Sequence, residues 1–189
     1  MDKFQDQAAL SCELSIKKAR NIEFNSTGSL FVRCYMSAGN KNRVRFETRE
    51  VSSSNMAWNQ SFSLDCFGTK ECMSSMLSEG TVSFELRWRS RISIFGRRKS
   101  QLLGKSEVPW RTVYESSTMD TEKWIVMNSR KSLADGVKPP AVQIGMKVGG
   151  ALPAISKAIR QTKRCGEKCE CKDCVNCDLF AIDAALEFF

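Results

Sequence analysis

The side chains that could do chemistry collect in two places. Five cysteines crowd into a short run near one end, as Cys165, Cys169, Cys171, Cys174 and Cys177. Cations collect earlier, in the stretch SFELRWRSRISIFGRRKSQLLGKSEVPW from Ser83 to Trp110. There Arg87, Arg89, Arg91, Arg97, Arg98 and Lys99 stand with no acidic residue from Leu86 to Ser106. A segment this positive cannot hold a cation. Its apolar members, Ile92, Ile94 and Phe95, sit in the middle of the charge. Cations flanking a short apolar tip suit a negatively charged surface with an apolar layer beneath, as at an anionic membrane leaflet. The plainer alternative is a solvated basic loop with one tucked-in Phe.

The cysteine run CGEKCECKDCVNC leaves three chemistries open. Cys171-x-x-Cys174 and Cys174-x-x-Cys177 have knuckle spacing for tetrahedral zinc, although one short run without His makes a cramped site. The run also follows a basic helical stretch, where reversible S-acylation would add a second membrane signal. A mobile, redox-sensitive thiol tail is the third. Spacing alone does not choose among them. Cys12, Cys34, Cys66 and Cys72 are scattered instead, and read as small buried apolar residues in a reducing compartment.

Little else could catalyse. The chain has no histidine, which removes the commonest general base and metal ligand. It has no Gly-x-Ser-x-Gly elbow, no phosphate-cradling glycine loop and no convincing carboxylate pair. An enzyme is not expected.

The elements that must position these residues are short strands. Ser11 to Ala19 alternates apolar and polar and ends at a polar turn, Asn21 to Gly28. Leu30 to Met36 is a second strand and Arg43 to Thr48 a third. Trp58, Phe62 and Leu64 mark a fourth, after a turn at Ser52–Asn55. Thr81 to Trp88 and Leu102 to Trp110 flank the basic loop, and Lys123 to Met127 and Ala141 to Val148 complete the set. Eight period-two runs with polar turns and no long helical period predict an all-β, antiparallel sandwich. Beyond Gly149-Gly150 the period changes. Leu152, Ile155 and Ile159 share a helical face opposite Lys157, Arg160, Lys163 and Arg164, and Leu179, Ile182, Leu186 and Phe189 suit a short closing helix. The expected organisation is a sandwich over 1–150 and a helical, Cys-rich tail over 151–189.

Charge follows this division. Residues 1–150 hold 23 basic against 15 acidic side chains, and residues 151–189 hold 6 of each. Polyanions are therefore the natural partners of the domain. Nucleic acid rests on charge alone, with Trp88 and Phe95 available for stacking but no recognised motif. No run approaches the ~20 apolar residues of a membrane-spanning helix, and MDKFQDQAAL lacks the apolar core of a secretory signal. A cytoplasmic protein is expected, with peripheral contact at the plasma membrane or an endomembrane.

The order of these strands and their local wording resembles the C2 domain family over residues 8–150, and most closely its small plant members. SCELSIKKARNI resembles the first strand and the start of the first loop, and SLFVRCYM the strand that usually begins Asp-Pro-Tyr-Val. FETREVSSSNMAWNQSFSL resembles the stretch with Asn-Pro-x-Trp-Asn-Glu-x-Phe, and LLGKSEVPW the Leu-Gly-x-x-x-Ile-Pro-Leu strand. The resemblance implies a C2-like sandwich. Family members that bind calcium use clustered Asp side chains from two loops. Here Ser29 and Asn25 stand in the first, and Arg87, Arg89, Ser100 and Gln101 in the second. The resemblance thus implies no calcium and no required cofactor. It also implies a second basic surface for phosphoinositides, with Arg33, Arg43, Arg45 and Lys105 as candidates. The expected function is calcium-independent binding to anionic phospholipid by an adaptor that reaches a protein partner through its tail. The alternative is a protein-interaction adaptor without lipid binding, whose basic loop grips an acidic partner.

Overall fold

In the computed structural model, which describes residues 7–23, 28–37, 43–90, 100–129, 136–149 and 179–183, alternation becomes strand after strand. Cys12, Leu14 and Ile16 are shut away from water, while Glu13 between them is exposed. This is the central strand β1 (Gln7–Arg20). It is followed by β2 (Gly28–Ser37), β3 (Arg43–Glu47), the two-residue β4 (Val51–Ser52) and β5 (Ala57–Thr69). The helix α1 (Lys70–Glu79) leads to β6 (Thr81–Ser90) and β7 (Ser100–Pro109). A short turn of helix, α2 (Arg111–Tyr114), precedes β8 (Asp120–Val126), β9 (Ala141–Gly149) and β10 (Leu179–Asp183).

Two sheets face each other, with every pairing antiparallel. One runs β10-β5-β1-β9-β8; the other runs β3-β2-β6-β7, with β4 alongside β2. Their inner rows make the core. Leu30, Val32, Cys34 and Met36 of β2 and Val82, Phe84 and Leu86 of β6 meet Leu14 and Ile16 of β1, Trp58, Phe62 and Leu64 of β5, and Ile144 and Met146 of β9. Phe46 and Phe62 bridge the layers with ring centroids 4.7 Å apart. Each such side chain taken out of water contributes about 1.5–3 kcal/mol before entropy is charged against it. The all-β antiparallel sandwich read from the sequence is the observed fold.

Three details depart from expectation. Residues 70–79 form a helix because Thr69 accepts a hydrogen bond from the Cys72 amide at 3.3 Å, capping a segment whose Met73 and Leu77 bury one face. Leu179–Asp183 is a strand along β5, not the start of a closing helix. The free edge of β5 offers backbone partners that an isolated short helix cannot match. Cys12, Cys34 and Cys66 are free and buried as expected, but Cys72 is only half-buried. The basic helix and cysteine run of 151–178 lie outside the described residues.

A bulge interrupts β1. Ile16 points inward, yet after the register shift between Ile16 and Lys18 it is Ala19 that is buried, and Lys18 and Arg20 face out. The side of the sandwich is closed by a bridge between Lys105 and Asn128, whose two backbone hydrogen bonds measure 2.9 and 2.8 Å. This brings Gly104 so near that an added Cβ would lie 2.6 Å from the Met127 carbonyl oxygen and 2.8 Å from its Cβ. Backbone cannot yield as a side chain tip can. Gly104→Ala is therefore expected to cost about 1–3 kcal/mol, the range for overpacking a tight site, measured by denaturant unfolding; an unchanged midpoint would mean the bridge is loose.

Candidate anion-binding surface

Period two turns a charged grid outward from the β3-β2-β6-β7 sheet. Arg43, Arg45 and Glu47 come from β3; Ser29, Phe31, Arg33 and Tyr35 from β2; Ser83, Glu85, Arg87 and Arg89 from β6; Lys105 and Glu107 from β7. Cross-strand register sets the partners. Arg33 stands opposite Glu47 and Glu85, and its Nε donates to Glu47 at 2.8 Å. Burial works against the Arg33 charge, but Tyr35 and Glu47 outweigh it and shift its pKa upward. Lys105 donates to Glu107 at 2.8 Å. That contact, then the Ser83 hydroxyl at 3.0 Å, holds the Glu107 carboxyl below its ordinary range.

The arginines nearest the basic loop are the most engaged. Arg87 donates to Glu85 at 2.7 Å, to the Ser100 hydroxyl at 3.0 Å and to the Ser100 carbonyl at 3.2 Å. Arg89 donates to Glu50, which also accepts from the Ser29 hydroxyl. The Arg89 guanidinium lies 4.7 Å from the centroid of the Phe31 ring, and that of Arg33 lies 5.8 Å from it. Phe31 thus points outward yet is 1% exposed, an aromatic floor beneath two cations. Arg45 is different: its side chain is 60% exposed and 3.7 Å from Glu47. Arg43 is exposed too, with no carboxylate in ion-pair distance among the described residues.

Of the residues singled out in the sequence, the sheet gathers Arg33, Arg43, Arg45, Arg87, Arg89 and Lys105 on one face. Arg91, Ile94, Phe95, Arg97, Arg98 and Lys99 lie outside the described residues, as do Asn25 and the cysteines Cys165, Cys169, Cys171, Cys174 and Cys177. Phe31 and Glu50 were missed. Phe31 could have been found, as an aromatic at an outward position flanked by Arg33. Glu50 could not, because its reach to Ser29 and Arg89 is a matter of tertiary geometry.

No family model matches the chain, and no curated protein matches it. Solved structures do. CC2D1B superposes with a TM-score of 0.59 at 16% identity, covering 72% of this chain and 54% of that one. A single C2 domain of plant extended synaptotagmin 1 superposes at 0.50 and 12% identity, over 76% of this chain and 96% of that domain. The sandwich is a C2 fold. A structure of extended synaptotagmin 2 with its SMP domain and two C2 domains gives 0.51 and 17% identity, over 79% of this chain and 27% of that one. The chain thus spans about half of CC2D1B and nearly all of the single plant C2 domain.

Within the C2 fold, the ends of β1 and β6 and the starts of β2 and β7 share one end of the sandwich, since Gly28 pairs with Ser90 and Arg89 with Ser100, while the Ala19 amide bonds to Met56 and the Ser53 amide to Gly28. Ser29, Arg87, Arg89 and Ser100 stand there, at the positions that the resemblance sets against calcium-ligating carboxylates. The carboxylate that reaches Ser29 and Arg89, Glu50, is already occupied by their hydroxyl and guanidinium. Among the described residues no group of three or more His, Cys, Asp or Glu side chains could hold a metal ion.

These contacts rank by burial. Phe31→Ala is expected to cost about 3 kcal/mol, the low end for a buried ring. Glu50→Gln should cost about 1 kcal/mol or less, because that pair remains partly solvated, with side chains 26% and 37% exposed. Denaturant unfolding of both variants checks the order, and a larger loss for Glu50→Gln would mean the ion pair rather than the ring holds the arginines. Glu107 adds a pH dependence. Its folded pKa lies below its unfolded one, so its contribution is complete above the ordinary Glu range and lost as pH falls through the depressed value. Glu107→Gln should flatten the acid limb of a melting-temperature profile.

Proposed function

We propose that this chain is a peripheral module that docks on anionic phospholipid without calcium and reaches a protein partner through its tail. The observation that carries the reading is the pairing of Arg89 and Ser29 with Glu50 at the loop end of a C2 fold. The Arg89–Glu50 pair fills the place that a dication and its carboxylates would otherwise take, so the positive charge that meets lipid comes from the cations around it. The outward face of the neighbouring sheet carries six cations (Arg33, Arg43, Arg45, Arg87, Arg89 and Lys105) against Glu47, Glu50, Glu85 and Glu107, so it is net positive. Arg87 and Arg89 act mainly as framework on this reading, and Arg43, Arg45 and the loop cations meet the lipid. Each cation held near an anionic leaflet is worth about 1 kcal/mol. Likeness in fold to C2 domains supports a lipid or membrane partner. Among the described residues no helix is long and apolar enough to cross a membrane.

Co-sedimentation of the full chain with phosphatidylserine or phosphoinositide vesicles, in calcium and in chelator, tests the reading. Equal binding in both is expected, weakened by salt and reduced roughly tenfold or more in the Arg43→Ala/Arg45→Ala double variant, the loss two such cations carry. Arg97→Ala/Arg98→Ala/Lys99→Ala should be at least as weak. Binding only in calcium would overturn the calcium-independent part. Absence of binding in either would favour the adaptor with an acidic partner.

A further inference from the structure

The opposite sheet carries a second concentration of cation and aromatic on its outer face, far from the arginine grid. Trp124 of β8 and Lys18 of β1 both stand opposite Gln143, on either side of β9. One row on, Arg20 of β1 and Val126 of β8 both stand opposite Ala141. The four side chains therefore form a tight group across three adjacent strands. The Arg20 guanidinium lies 4.0 Å from the centroid of the Trp124 ring, and the Lys18 ammonium 6.0 Å from it. No carboxylate among the described residues lies within ion-pair distance of Arg20. Lys18 lies near enough to Glu122 for its charge to lower that carboxyl's pKa, but Glu122 is held mainly by Lys17 and also accepts from Gln143.

Around this group the surface is apolar and positive. Val126 is 49% exposed and Val137 is 40% exposed, beside exposed Lys138. The Asn21 side chain donates to the Pro139 carbonyl at 3.1 Å, tying the 136–140 segment to the end of β1. The other end of the same face is acidic, with Glu13, Asp65 and Asp120 against Lys147. Arg20 and Val126 also lie at the end of the sandwich where β6 finishes and β7 begins, because the Ala19 amide bonds to the Met56 carbonyl and the Ser53 amide to the carbonyl of Gly28, which pairs with Ser90.

We propose that Arg20, Lys18, Trp124 and Val126 form a second contact with the anionic bilayer, so that the domain docks by its loop end tilted onto the β1-β9-β8 face. The proposal rests on the lipid-binding reading and adds the orientation. The guanidinium held over the indole has no carboxylate among the described residues to satisfy its N–H groups, which suits it to lipid phosphate oxygens. Trp is at home at the headgroup level of a membrane, where its ring is half wet and half apolar. Exposed valines add shallow apolar contact. The acidic far end of the face is repelled by an anionic leaflet, which confines contact to the loop-proximal half.

Vesicles of phosphatidylserine in phosphatidylcholine, with and without brominated acyl chains, test this on the full chain. Lys18→Gln/Arg20→Gln is expected to bind roughly tenfold to thirtyfold more weakly than the parent, the effect of two cations near the leaflet. Lys147→Gln, on the same face at its far end, should bind like the parent. Trp58 and Trp110 are fully buried and half-buried Trp88 is present in every variant, so brominated lipid should quench the parent more than Trp124→Phe, a change that keeps a ring for packing. Thermal melts confirm that each variant is folded. Unchanged binding of Lys18→Gln/Arg20→Gln with unchanged quenching in Trp124→Phe would overturn this contact while the lipid reading stands. Failure of the parent chain to bind any vesicle would overturn both.

Discussion

Burial of the inner row of β1 is the constraint from which the remaining surfaces derive. Cys12, Leu14 and Ile16 cannot leave the core without losing several kcal/mol of apolar burial, and β1 is bonded on both sides, to β5 and to β9. Its register is therefore locked. With side chains alternating strictly, a one-residue slip would carry this row into water and bury Glu13. Once β1 is fixed, β9 and then β8 are fixed against it, and so is the side on which Trp124 emerges.

The two outer faces solve the same electrostatic problem differently. On the β3-β2-β6-β7 sheet, cations are interleaved with carboxylates, and an outward Phe31 is covered by the arginines it supports. On the β1-β9-β8 face, charge is sorted along the strands, cations and an indole at the loop end and acids at the other. Interleaving gives a rigid, modestly positive surface. Sorting gives a directional one. Both leave the apolar interior to supply most of the stability, since partly solvated ion pairs contribute little each.

Most of the sandwich was legible in the sequence because its signal is local. A run such as LFVRCYM states its own period, and Leu30, Val32, Cys34 and Met36 all turned inward as that period requires. Single outward cations such as Arg43 and Arg45 were legible for the same reason. Arg33, Arg43, Arg45 and Lys105, however, were set on one surface only by the resemblance, and their meeting with Arg87 and Arg89 follows from the pairing of β2, β3, β6 and β7. What escaped depends on partners distant in sequence. Helix α1 hides in a serine-rich stretch whose cap, Thr69, only matters once β5 has ended there. The strand at Leu179 depends on a free edge of β5 that no single segment announces. Trp124 looked like one member of the seventh alternating run, and only the bulge in β1 delivers Arg20 to its face.

That bulge also changes how much charge a strand can display. A regular strand rises about 3.4 Å per residue and shows every second side chain, so its outward groups stand roughly 7 Å apart. A bulge sets two residues of one strand against one of its neighbour. Lys17 and Lys18, adjacent in sequence, accordingly both reach the same outer face, one to Glu122 and the other towards Trp124. The pleat caps the linear density of charge along a strand, and an extra residue lifts that cap at a single point without disturbing the packed row beneath.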